Sequence, residues 1–421
     1  MKPRIVHAIH YITLILLILV TAAGCDFGDP FSGYRGVNLL PEDAQDFSFD
    51  GDQADWAWQP FVYDATADAE DPDTAGVGQL LAGSGRGHLL VFEDATAAGG
   101  AGAARLEVPN LMPNGDFETG LSGDWTTTGF TSFATQTAPT GLEINQNVLH
   151  IDSNEASDRA DFTLNNLNGG LPPIGARLFV RFSIRSSGTP TLLMQLHNSV
   201  DANAAQTISA GGLVATDDPL EFPSAYFQIN EPGTEIKSQF AVSDSLGTTH
   251  TLSLPAGILD DEGTILDGSI DNLRFGRTDT RSYIRTIIPA QLPETGHQLL
   301  SGEYRLSFEV RRDPTADLND PGKEPNRFPA RRFSVEAFAV GSSTGFTDGL
   351  TPVGHDLPDW SNAADWSTIS FDFPDLQIPS GLSPDDQALE IRIYANDPTD
   401  FERTIDIGSF LIRNPRLEFI P

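Results

Sequence analysis

Few residues of this 421-residue chain are arranged to do catalytic chemistry. Paired acids stand at Asp217-Asp218, Asp260-Asp261-Glu262 and Asp385-Asp386. Each pair sits in a turn-like stretch beside glycine or proline, where solvated loop acids account for them. A glycosidase needs two carboxylates opposed across a cleft, and linear spacing marks no such pair. The eight histidines are scattered. No H-E-x-x-H, G-x-S-x-G or phosphate-loop pattern occurs, so the expectation is a protein that is not an enzyme. Aromatic rings flanked by acids and amides are the other chemical feature: Trp56, Trp58, Tyr63 and Trp360. The first three lie between Glu42 and Asp73, a stretch with many acids and no base. Cys25 is the one cysteine, so no intrachain disulfide can form.

The position of Cys25 is informative. Lys2 and Arg4 precede an apolar run from Ile12 to Val20, and Thr21-Ala22-Ala23-Gly24 lead into the cysteine. That is the grammar of a secretory signal peptide. The run is well short of the roughly 20 residues a spanning helix needs. The small residues before Cys25 resemble a bacterial lipobox, in the relaxed form found in spirochaetes, with Ala22 where leucine is usual. The resemblance implies removal of 1–24, acylation of Cys25 (a palmitate-type anchor) and a lipidated tether over 25–36. It also implies an exported protein held at a bacterial membrane, the outer membrane or cell surface rather than the inner membrane.

The remaining composition narrows the class. Hydrophobic residues make up 39 %, enough for packed cores. Net charge is −34, with lysine only at Lys2, Lys237 and Lys323. Such a surface repels phosphate backbones, so no nucleic-acid partner is expected. After the leader, long helical periodicity is absent. Short runs of period-two alternation recur instead, as in Tyr304 to Val310, Phe333 to Phe338 and Leu389 to Tyr394, separated by turn residues. This pattern predicts an all-β chain of jelly-roll β-sandwich domains.

One stretch carries a family likeness. Asn110-Leu111-Met112-Pro113-Asn114-Gly115-Asp116-Phe117-Glu118-Thr119-Gly120, followed by Trp125, resembles the opening of family 4/9 carbohydrate-binding modules. Ser269-Ile270-Asp271-Asn272-Leu273-Arg274-Phe275 resembles their closing strand. The resemblance implies a structural Ca2+ held by Glu118 and Asp271, with Asp116 as a further oxygen ligand. It also implies glycan binding through exposed rings, for which Trp56, Trp58, Tyr63 and Trp360 are the candidates. Trp125 and Trp366 match positions that fill the core.

A fainter copy surrounds the first. Val37-Asn38-Leu39-Leu40-Pro41 with Trp56 looks like the same opening, and Phe410 to Phe419 like the same ending. Arg413 then stands where Asp271 stands in the clear copy, so no metal is expected in the outer one. Two arrangements fit: a jelly roll inserted in a loop of another, or an N-terminal region followed by two tandem sandwiches. Insertion is favoured, because 37–108 is too poor in strands for its own core. The expected division is 37–108 plus 281–421 for the outer sandwich and 109–278 for the inserted one. The function implied is that of a membrane-anchored lipoprotein binding polysaccharide at the cell envelope. The alternative is a structural or adhesive envelope lipoprotein without sugar binding.

Overall fold

The computed structural model describes residues 31–47, 55–64, 69–72, 90–93, 103–137, 147–152, 158–168, 170, 172, 176–186, 191–192, 194–198, 201–208, 227–228, 234–241, 250–255, 267–277, 280–316, 327–328, 330, 332–341, 345–349, 353–356, 366–395 and 408–421. The leader, Cys25 and Trp360 lie outside them. The described residues form strands, turns and 3-10 turns, with no α-helix among them. The fold is all-β.

Four strands come first: β1 (Gln59–Asp64), β2 (Ala69–Pro72), β3 (Leu90–Glu93) and β4 (Ala104–Val108). A middle set follows: β5 (Trp125–Thr128), β6 (Ser132–Thr137), β7 (Asn147–Asp152), β8 (Arg159–Thr163) and β9 (Arg177–Ser186). It continues through β10 (Thr191–Leu192), β11 (Met194–Asn198), β12 (Asp201–Ile208), β13 (Phe227–Gln228), β14 (Thr234–Ala241), β15 (His250–Pro255) and β16 (Asp267–Arg277). The last set is β17 (Thr280–Pro289), β18 (Gly302–Arg312), β19 (Arg332–Gly341), β20 (Gly345–Gly349), β21 (Val353–Asp356), β22 (Ser367–Leu376), β23 (Gln387–Tyr394) and β24 (Gly408–Ile420).

The middle set pairs only within itself, as sheets β12-β11-β15-β8-β5 and β14-β9-β16-β7-β6, with β10 and β13 as a small separate ladder. The first and last sets pair with each other. One sheet runs β2-β1-β17-β23-β19-β20, with β21 also on β19, and the other runs β22-β18-β24-β4-β3. Phe61 in β1 sits opposite Tyr283 in β17, and Leu106 in β4 opposite Phe410 in β24. Two β-sandwiches result, and the inner one leaves and rejoins the outer one between β4 and β17.

The two are built alike. Taken in chain order, β1, β3, β4, β17, β18, β19, β20, β22, β23 and β24 occupy the same sheet positions as β5, β6, β7, β8, β9, β11, β12, β14, β15 and β16. Alternation supplies each core. In β22, Ile369, Phe371 and Phe373 are buried while Thr368, Ser370 and Asp372 are exposed. Such a strand presents one apolar face to the interior. The outer core gathers Leu106, Leu306, Phe308, Phe333, Ile391 and Phe410; the inner one gathers Leu149, Phe162, Leu178, Val180, Ile270 and Phe275.

Each sandwich is closed by one asparagine. Asn110 donates from Nδ2 to the Leu273 carbonyl at 2.9 Å, and its Oδ1 accepts from the N–H of Met112 at 3.1 Å and of Phe275 at 2.8 Å. Asn38 makes the same three bonds to Pro415, Leu40 and Leu417. Both clasp a bulge in the final strand, where the pairing register shifts between Asp271 and Arg274 and again between Arg413 and Arg416. Asn272 and Asn414 sit in the bulges at φ of 54° and 53°. Asparagine tolerates this left-handed region better than other side chains bearing a Cβ.

Two tryptophans assigned to sugar belong to the outer core instead. Trp58 is fully buried, donates its indole N–H to the Ala44 carbonyl at 3.0 Å and packs on Phe47. Trp56 is 6 % exposed in the same cluster. Their spacing of two could not show which face of the segment turned inward. Trp125 packs on the inner core against Phe162 and Phe133. Trp366, expected in the core, is half-buried beneath the guanidinium of Arg413, 4.1 Å from the ring centre. It precedes β22 one residue out of phase with the core-facing Ile369 series, which turns it to the other face.

Candidate functional site

The residues expected to hold calcium lie at the mouth of the inner sandwich. Asp116 is fully buried, and its Oδ1 receives the Glu118 N–H at 3.4 Å. Phe117 between them takes a φ of 60°, so the loop turns sharply. Glu118 accepts from Asn147 on both oxygens, from the backbone N–H at 3.2 Å and from the side-chain amide at 3.3 Å. Asp271 pairs through its backbone with Ser183; its side chain is outside the described set. Among the described residues no three metal-type side chains converge. The Asp116 and Glu118 carboxylates accept hydrogen bonds from neighbouring N–H groups; calcium takes six to eight oxygen ligands.

In the outer sandwich the register places Arg413 where Asp271 stands. Arg413 binds Glu309 at 2.5 Å, and Asn414 donates to the same carboxylate at 2.8 Å. The guanidinium thus supplies a fixed positive charge at that point of the fold.

A second constellation lies on the face of the β1-β17-β23-β19 sheet that points away from the core. In β23, Leu389, Ile391 and Ile393 face inward, so Glu390, Arg392 and Tyr394 share the opposite face. Pairing sets them beside Tyr283 and Arg285 of β17, and beside Glu336 and Phe338 of β19. Phe61 of β1 completes the row. Phe61, Tyr283 and Tyr394 form their own apolar cluster. Phe61 and Tyr283 stack at 6.0 Å, and Tyr283 meets Tyr394 at 4.9 Å.

Charge is interleaved with these rings. The Arg285 guanidinium lies 3.5 Å from the Phe61 ring centre, and that of Arg392 lies 4.6 Å from Tyr283 and 5.0 Å from Phe338. Arg392 binds Glu390 at 2.7 Å, and Arg285 approaches Glu390 at 3.8 Å. Tyr394 donates to Glu336 at 2.6 Å. Burial pushes the Glu336 carboxyl up, against the lowering effect of that hydroxyl and of Arg392. Burial also raises Tyr394, reinforced by the nearby Glu336 charge. The floor is therefore desolvated, while Arg281 is exposed and Arg285, Ile287 and Phe338 are half-buried at the rim. The Tyr283 hydroxyl is buried and has no hydrogen-bond partner among the described residues. An unsatisfied buried hydroxyl costs about 1–3 kcal/mol.

The matching face of the inner sandwich differs. There the register aligns Thr126, Asp161, Ser253 and Gln195 across β5, β8, β15 and β11, with no aromatic residue among them. The outward face of the β22-β18-β24 sheet also differs: Arg305 and Asp372 pair there at 2.6 Å with about half of each side chain in solvent. On the outward face of that same sheet the guanidinium groups of Arg413 and Arg311 lie 4.1 and 5.9 Å from the Trp366 ring centre.

Of the four rings first proposed for sugar, Tyr63 alone falls in a strand of that face. It stands two residues after Phe61 in β1, opposite Arg281. Tyr283, Tyr394, Arg392, Glu336 and Glu390 were passed over. Their signal was the polar phase of alternation: Glu390, Arg392 and Tyr394 at every second position look like an ordinary solvated face.

No protein-family model and no curated protein matches the chain. Among solved structures, the N-terminal CBM22-1–CBM22-2 tandem domain of Paenibacillus barcinonensis Xyn10C is similar at a TM-score of 0.28 and 9 % identity, over 72 % of this chain and 96 % of that one. Its CBM22-1 xylan-binding domain gives 0.27 and 10 %, over 38 % and 90 %. The enzymatically active domain of Bacteriophage CBA120 tailspike protein 4 gives 0.25 and 13 %, over 40 % and 22 %.

Proposed function

We propose that the protein is an exported, lipid-anchored glycan-binding protein whose site is the ring-lined face of β1, β17, β23 and β19. The observation that carries this reading is the rim of that face, where half-buried Phe338, Ile287 and Arg285 and exposed Arg281 overlie a buried layer of Phe61, Tyr283 and Tyr394. Aromatic rings offer apolar area to the C–H face of a sugar. Guanidinium and carboxylate groups offer the donors and acceptors its hydroxyls require. Glu336 and Glu390 are both tied to neighbours on one sheet face, which suits binding rather than the opposed pair of a glycosidase.

Calorimetry against a panel of oligosaccharides tests the site. Phe338→Ala, at the half-buried rim, is expected to weaken binding about tenfold, the loss of one stacked ring, with the fold intact by circular dichroism. Absence of binding to every glycan would leave the structural or adhesive envelope role. The anchor has its own test: incorporation of a labelled fatty acid into the wild-type chain, lost in Cys25→Ser. Labelling that persists in Cys25→Ser removes the acylation site. Calcium at Asp116, Glu118 and Asp271 is a separate proposal. A rise in melting temperature with calcium that Asp271→Asn abolishes supports it, and an unchanged temperature removes it.

A further inference from the structure

The chain is packed on the outer sandwich before the clasp of Asn38 begins. Phe31, Tyr34 and Val37 are partly buried against the outer core. Phe31 and Tyr34 meet the Phe419 ring at 5.5 and 5.8 Å, and Tyr34 meets the His297 ring edge-on at 5.1 Å. Polar bonds fix the backbone between them. Tyr34 donates its hydroxyl to the Gln298 carbonyl at 3.0 Å, His297 Nε2 lies 2.9 Å from the Gly33 carbonyl oxygen, and Arg416 donates to the Gly36 carbonyl. The N–H groups of Tyr34 and Val37 close turns on the carbonyls of Phe31 and Tyr34. Residues 31–37 thus form a strap across one end of the sandwich.

The strap and the inner sandwich occupy opposite ends of the outer one. In β24 the strap touches Arg416 and Phe419, close to the last residue, Ile420. The first residues of β24, Gly408 and Ser409, pair with Val108 and Glu107, where the chain leaves for the inner sandwich. The chain returns at Thr280. From there β17 runs to Pro289 and into the 290–299 hairpin that carries His297 and Gln298. A strand rises about 3.3 Å per residue, so β17 and β24 each set the two ends about 30 Å apart. Phe328 marks the far end as well: its carbonyl receives the Ser409 N–H at 2.8 Å, and Arg274 of the inner sandwich lies 4.3 Å from its ring centre. Phe31 stands only six positions after Cys25. An extended chain spans at most about 3.6 Å per residue, which keeps Cys25 within about 20 Å of the strap. Were the strap free, Asn38 would be the first fixed residue and that reach would rise to about 45 Å.

We propose that the strap turns its end of the outer sandwich toward the lipid surface and holds the inner sandwich on the side away from it. The proposal rests on the acylation of Cys25 proposed above. The partner is the headgroup layer of the membrane, met without insertion: the hairpin tip at this end exposes Pro293, Glu294, Thr295 and Gly296 and offers no large apolar side chain to the acyl region.

Energy transfer from a single dye to a headgroup-labelled lipid tests it, in full-length acylated protein reconstituted into vesicles of phosphatidylethanolamine and phosphatidylglycerol. Cys25 is the one native cysteine and acylation blocks its thiol, so a thiol-reactive dye reports only an introduced position. Glu294→Cys labels the strap end, and Thr127→Cys, exposed in β5, labels the inner sandwich. The dye in Glu294→Cys is expected to lose most of its emission to the lipid acceptor, and the dye in Thr127→Cys to keep most of it. Adding Phe31→Ala and Tyr34→Ala, which frees the strap and leaves the Asn38 clasp, is expected to narrow that difference. Equal transfer from the two positions in membrane-bound protein, or a difference unmoved by freeing the strap in folded protein, overturns the proposal and leaves the anchor standing. A wild-type chain that carries no fatty acid overturns both.

Discussion

Asn110→Ala is expected to lower the melting temperature of the inserted sandwich by about 8–16 °C while the transition of the host sandwich stays in place. The side chain is 2 % exposed and satisfies three backbone groups, the Leu273 carbonyl and the N–H groups of Met112 and Phe275. Alanine leaves all three in a site with no replacement. Each stranded group costs about 1–3 kcal/mol, and partial relaxation brings the sum to about 4 kcal/mol, in the upper range for point substitutions. Gly115→Ala attacks the same clasp from the other side, since a Cβ there would stand 1.9 Å from the Leu273 carbonyl oxygen. Scanning calorimetry resolving two transitions checks both variants. Equal shifts of the two transitions would mean that the clasp does not act on its own sandwich.

Trp58→Ala is expected to cost the host sandwich about 4 kcal/mol, the usual scale for deleting a fully buried large aromatic. The ring is sealed against Phe47, and its N–H is the partner of the Ala44 carbonyl. Trp58→Phe keeps most of the packing but strands that carbonyl, for a loss of about 1–2 kcal/mol. Denaturant unfolding reads both. Oligosaccharide affinity of the folded fraction stays unchanged, because Trp58 lies in the core cluster and none of the face residues belongs to it. A variant of normal stability that lost glycan binding would return Trp58 to a ligand role.

Architecture was legible because two signals were redundant. Period-two runs such as Leu389 to Tyr394 name strands by themselves, and the asparagine openings at Asn38 and Asn110 repeat with matching final strands. The ring-lined face was not legible. Alternation states that Glu390, Arg392 and Tyr394 share a side; it does not state that β17 and β19 bring Tyr283 and Glu336 beside them from about 50 to 110 residues away, a consequence of pairing order. Trp366 failed for a smaller reason, a single-residue phase relative to Ile369. A one-residue slip exchanges the two faces of a strand, and local composition cannot detect it.

The crossing of the chain between β4 and β17 imposes an order of events during synthesis. β1, β3 and β4 are made first, yet their partners β17 and β24 follow only after residues 109–279. Until then these strands carry open edges, the kind that invite wrong pairing. If the intervening segment stays unfolded, joining its ends resembles closing a loop of that full length. Once it has folded, the span shrinks to that of a short connector, a difference of about 2–3 kcal/mol in closure entropy. The guest thus acts as the template on which its host assembles. Damage to the Asn110 clasp should therefore slow maturation of the outer sandwich, even though no atom of that sandwich has changed.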